Sequence, residues 1–131
     1  MIALKDLVEW HKTLTLPIEF GWFAGPREPE YGRGDNVGVI TPGPGPGSDL
    51  EDIGDWFGFQ AKLIGKEYQF DDLQKSAMEL DRTLRFLAVP ADLWGTRVRA
   101  VVRSGGAPDM IQEDEFERIA FAGNYLVHEL I

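Results

Sequence analysis

The chain has 131 residues, of which 44% are hydrophobic, a length and composition that suit one packed core and leave little for a second. Its 13 basic and 22 acidic side chains give a net charge of −9, which opposes capture of phosphate backbones and of anionic membranes. With no cysteine there is neither a disulfide framework nor a thiolate metal site, and with no signal peptide at Met1 to Asp6 and no membrane span, cytoplasmic expression without export is expected.

Leu4, Leu7, Val8, His11 and Leu14 recur at helical spacing opposite Lys5, Asp6, Glu9 and Lys12, which predicts an opening helix. Pro17 should stop it, leaving Ile18 to Phe23 as a strand and Gly25 to Asn36 as a turn-rich connection. Val37 to Thr41 reads as a short β-branched strand. The Pro-Gly run Pro42 to Ser48 reads as a loop, because alternate residues lack an N–H, and the acidic stretch Asp49 to Asp55 extends it.

Trp56 to Gly65 alternates, with Phe57, Phe59, Ala61 and Leu63 on one face, and predicts a strand. Asp71 and Asp72 suit a helix start, and Leu73, Ala77, Leu80, Leu84 and Leu87 follow at helical steps until Pro90. Asp71 with Lys75 and Asp81 with Arg85 are acid-first pairs that support this helix from its surface. Arg97 to Arg103 is the next strand, Ser104 to Pro108 breaks it, a loop continues to Glu117, and Ile119 to Ile131 closes the chain as a strand. The expected class is α+β, an antiparallel or mixed sheet packed on one face by two helices in the order α-β-β-β-α-β-β, as a single domain over residues 1–131.

No catalytic constellation emerges. Gly58 to Lys66 departs from a phosphate loop in spacing and in Glu67, and the polar stretch Gly32 to Asp35 lacks the last glycine of a dinucleotide fingerprint at Val37. His11 and His128 share no metal-ligand pattern, His11 being expected as a packed histidine. Ser48, Ser76 and Ser104 occupy no nucleophile elbow. The expectation is a non-enzyme without cofactor or metal.

Two features point instead to contacts between chains. Arg97, Arg99 and Arg103 alternate along one strand and are expected on one face, a concentrated basic stripe suited to a carboxylate-bearing partner. Met110, Ile111 and Phe116 lie among acids in the loop Ser104 to Glu117, where they must fold back on the core or be covered by another chain.

The element order resembles the tail terminator proteins of long-tailed bacteriophages, also labelled minor capsid or head-to-tail connector proteins. The resemblance spans nearly the whole chain. It runs through the helix Ala3 to Leu14, the strand Val37 to Pro42 ending in a Pro/Gly turn, and the aromatic strand Trp56 to Leu63. It continues through the helix Asp71 to Leu87, the segment Arg97 to Pro108 and the strand Arg118 to Ile131. The Pro42 to Asp55 insertion and the acidic loop before Arg118 depart from a compact member.

The resemblance implies a virion protein, a ring of six subunits capping the head-proximal end of the tail tube, stopping tube polymerisation and meeting the tail tube protein and a head completion or stopper protein. DNA would pass through the lumen without specific binding. A head completion protein, a stopper or a tail tube subunit is the nearest alternative. A small cytosolic enzyme or ligand-binding domain is the alternative of another class.

Overall fold

A computed structural model describes residues 2–25, 35–43, 55–66, 69–112 and 118–130. The opening helix α1 (Leu4–Lys12) buries Leu7, Val8 and His11, the side that the spacing assigns to the core. No regular strand follows directly. Ile18 is buried in the connection, its N–H donating to Ser76 Oγ at 3.3 Å, and β1 forms only over Gly21–Ala24.

Strand β2 (Val37–Gly43) runs two residues further than expected, through Pro42 and Gly43. The reason is where β1 ends. β1 pairs parallel with β2 only as far as Ala24 opposite Ile40, so the N–H that Pro42 lacks falls where β2 has no neighbour on that side among the described residues. The rest of the Pro-Gly and acidic loop, and most of the Gly25 to Asn36 connection, lies outside the described residues.

β3 (Asp55–Ile64) is antiparallel to β2, and helix α2 (Phe70–Arg85) follows with Leu73, Ala77, Leu80 and Leu84 buried. A tight hairpin, β4 (Ala91–Leu93) and β5 (Thr96–Arg103), turns at Trp94 and Gly95, which both have positive φ. Two such residues match the twist of a two-residue hairpin. Trp94 tolerates the conformation because its ring is buried against Trp10 and Phe59, and its carbonyl accepts from the Ala3 N–H at 3.2 Å.

β6 (Asp109–Gln112) and β7 (Ile119–Glu129) complete the sheet. The expected loop Ser104 to Glu117 is therefore in part a strand: residues 109–112 pair antiparallel with Ile119 to Ala122. Residues 104–108 form the turn before it, and residues 113–117, Phe116 included, lie outside the described residues.

The strand order is β1-β2-β3-β7-β5-β4, with β6 also on β7, so β5 and β6 lie in succession along one edge of the long closing strand. The fold is α+β, a mixed sheet in the expected order with β4 and β6 as short additions. Both helices pack on the face that carries Phe59, Leu63, Phe121 and Tyr125. On the opposite face Val37, Val39, Ile64 and Ala120 form a smaller buried group.

Candidate assembly interface

The three arginines do not form one stripe. Val98 pairs with Glu129 but Ala100 with His128, so Arg99 is the extra residue of a β-bulge, and the alternation reverses across it. Val98 and Val101 are both buried on the helix face. Arg97 and Arg99 remain exposed on the other face, while Arg103 turns towards α2. Regular alternation cannot foresee this, because a bulge adds a residue to one strand without changing the sequence's polarity pattern.

Arg103 enters a buried polar clamp centred on Asp81, which is only 2% exposed. The Asp81 carboxylate accepts from Arg85 Nε at 2.8 Å, Arg103 Nη1 at 2.9 Å and the Tyr125 hydroxyl at 2.9 Å. The pair Asp81 and Arg85, expected on the helix surface, is thus the joint between α2 and the β5 and β7 strands. Gly123 makes room for it: a Cβ there would lie 2.8 Å from the Tyr125 hydroxyl oxygen. Burial, reinforced by the hydrogen bond and charge of Asp81, pushes the Tyr125 phenol above its usual range.

Arg97 pairs with Asp92 across the β4 and β5 hairpin at 3.3 Å, both groups well exposed. Arg99 makes no ion pair among the described residues. Arg118, which the sequence gives no reason to single out, is 1% exposed and donates to the carbonyls of Gly65 at 3.1 Å and Asp35 at 2.6 Å. It pins the ends of β2, β3 and β7 together.

Met110 and Ile111 neither fold into the core nor stand on an irregular loop. They ride on β6 at 58% and 41% exposure, Met110 opposite Phe121 and Ile111 opposite Ala120. β4 reaches β5 only at Thr96 to Val98, and β6 pairs only with β7, so among the described residues the sheet edge from Arg99 to Gln112 is open. Val102, 42% exposed, adds to it. An open strand edge with apolar side chains is a template for pairing with another chain.

His11, His128 and Ser76 are engaged within the fold. His11 is fully buried between Trp10, Trp22 and Phe59, and its Nδ1–H donates to the Leu7 carbonyl at 2.7 Å. Burial lowers its pKa from 6.5 to about 4, against the opposing pull of that hydrogen bond, so the ring is neutral at pH 7. His128 is buried and stacks on Trp56 at 4.6 Å on the opposite side of the sheet. Ser76 donates to the Asp72 carbonyl at 2.8 Å, Ser104 stands exposed beside the Gly105 and Gly106 turn, and Ser48 lies outside the described residues.

A groove of about 300 Å³ runs from Lys12 to Trp22, and its polar side chains Lys12, Thr15 and Glu19 are all exposed. No group of three metal-ligating side chains occurs among the described residues, and none of their helices is long and apolar enough to cross a membrane. No protein-family model matches the chain, and no curated protein does either.

Proposed function

We propose that the chain is a ring-forming assembly subunit of the tail terminator type, acting through protein contacts and not through catalysis. The observation that carries this reading is the open edge of β5 and β6, where Val102, Met110 and Ile111 stand 41 to 58% exposed on paired, ordered strands. Such an edge left in water invites uncontrolled pairing, so a protein that keeps one gains by having a defined neighbour to cover it.

In this reading copies associate head to tail about a rotation axis until the ring closes, with six as the number the resemblance implies. One end of the ring then caps the tail tube and the other meets the head completion proteins. The net charge of −9 per chain suits a lumen that DNA crosses without being gripped.

The test is a tube-growth assay. Tail tube subunits polymerise in the presence and absence of the purified chain, and light scattering with negative-stain imaging follows tube length. Rings at tube ends and arrested growth support the reading. A monomer that leaves tube growth unchanged refutes it and moves the protein to the class of small ligand-binding domains or enzymes.

A further inference from the structure

We propose that the β6 edge of one copy pairs with the β1 edge of the next, so that the sheet continues from chain to chain. The proposal deepens the ring reading and rests on it, naming the surface that covers the open edge.

A head-to-tail contact needs two unlike surfaces on each chain. Among the described residues β1 ends the strand order on one side, and on the other β6 stands open beyond the reach of β4. Both are strands of four residues, Gly21–Ala24 and Asp109–Gln112. β4 is an edge too, but it has three residues and its middle one, Asp92, carries an exposed carboxylate, the kind of charge that guards an edge. β1 carries neither charge nor proline.

The backbone groups of the two edges are complementary. The N–H groups of Gly21 and Gly25 donate to the carbonyls of Asn36 and Ile40, so those of Trp22 and Ala24 face away from β2. In β7 the Ile119 carbonyl accepts from Gly65 on the β3 side, and the Asn124 carbonyl accepts from Ser104 on the β5 side. The even-numbered residues of β7 therefore serve β6. Asp109 and Ile111, opposite Ala122 and Ala120, bond inward, and the backbone groups of Met110 and Gln112 face outward. Each edge thus offers the donors and acceptors of two residues, two positions apart.

The side chains agree in face. Phe23, 41% exposed, lies beside Val39, and Ile111 lies opposite Ala120, both on the side away from the helices. Trp22 covers Gly38 on the helix side, where Met110 stands opposite Phe121. The directions agree as well. β1 runs with β2, β2 against β3, β3 against β7 and β7 against β6, so β1 and β6 point opposite ways. Copies related by rotation about an axis along the strands keep those directions, and β1 meets β6 antiparallel. Phe23 then faces Ile111, flanked by Trp22 opposite Gln112 and Ala24 opposite Met110. Three exposed apolar side chains gain cross-strand neighbours, and the outward peptide groups meet one another.

The test is disulfide trapping in the full chain, which has no cysteine of its own. Within one chain residues 23 and 111 are separated by four strand spacings, about 19 Å, too far for a disulfide, which needs Cα atoms within about 7 Å. A mixture of the Phe23→Cys and Ile111→Cys chains should therefore give a covalent dimer under mild oxidation, about tenfold or more faster than Phe23→Cys mixed with Met78→Cys, an exposed position on α2. Each variant alone should give almost none. Ala24→Pro, which removes one outward N–H, should keep the circular dichroism of the parent and weaken self-association about tenfold in sedimentation velocity.

If the parent assembles but the mixture links no faster than the Met78→Cys control, or Ala24→Pro folds and assembles like the parent, the β1 to β6 pairing is overturned and the ring reading stands. Ile111→Cys that links efficiently to itself would assign the edge to a twofold contact and overturn the pairing. A parent that stays monomeric at every concentration overturns the ring reading, and this inference with it.

Discussion

Asp81→Asn is the substitution whose cost the structure specifies best. The exchange keeps the size of the side chain and one acceptor oxygen but removes the charge that faces two guanidinium groups and turns an NH₂ towards them. A hydrogen bond to a charged group contributes about 1.5–3 kcal/mol, and removing one partner of a fully buried ion pair costs about 3–5 kcal/mol. The Arg85 and Arg103 side chains are 38% and 24% exposed, so water recovers part of that loss. The expected destabilisation is about 2–4 kcal/mol. Tyr125→Phe, which leaves both ion pairs intact, should cost only about 1 kcal/mol. Urea unfolding at pH 7 measures both, and Asp81→Asn combined with Arg103→Met should fall short of additivity by about 1 kcal/mol, because one interaction is lost twice. If Asp81→Asn unfolds within about 0.5 kcal/mol of the parent, as an unremarkable surface substitution would, the clamp does not join the helix to the sheet and the reasoning fails.

Further predictions address the core, a close backbone approach and the open edge. His11 titrates at about 4 when folded against 6.5 in the unfolded chain, so the unfolded state binds the extra proton first. Its contribution is therefore intact above about pH 6.5 and shrinks by about 3 kcal/mol as pH falls to about 4. The difference in stability between the parent and His11→Leu should change by that amount over this window, and a difference that stays flat contradicts the buried neutral ring. A Cβ at Gly38 would lie 2.3 Å from the Trp22 ring, so Gly38→Ala should cost about 1–3 kcal/mol. Adding Trp22→Leu should recover much of it, whereas an undiminished loss would locate the strain elsewhere. Val102→Lys with Ile111→Lys should leave the urea midpoint of the monomer nearly unchanged while abolishing the oligomer, and normal assembly of that variant would show the edge to be solvated.

The legible parts of the fold were those whose burial follows a regular period. α2 obeys helical spacing from Leu73 to Leu84, and β3 alternates from Phe57 to Leu63, because each packs one face on the same core. The two helices and the mixed sheet follow from those patterns. What the sequence concealed depends on neighbours in space. Pro42 is acceptable in β2 only because β1 stops opposite Ile40, a fact of pairing and not of composition. Met110 and Ile111 sit in a strand of four residues, too short to show a period, and it is held by pairing with the start of β7. At the arginines regular alternation fails for a sharper reason. Arg99 occupies a bulge, so Arg103, which alternation assigns to the face of Arg97, instead meets Asp81, and the charged pair expected on a helix surface became part of a buried clamp. Of the candidate contact residues, Arg97, Arg99, Met110 and Ile111 are indeed exposed, Arg103 is spent inside the molecule, and Phe116 lies outside the described residues.

The central claim is that this chain functions as a closed assembly of identical copies, and its solution mass tests that most directly. Light scattering on the eluting protein across a wide concentration series should give one species, a fixed multiple of the 14.7 kDa chain, which stops growing once the ring is complete. Six chains is the multiple expected. A single 14.7 kDa species at every concentration would contradict the account, and so would a mass that climbs without limit, because an open edge that never closes makes filaments and not a ring.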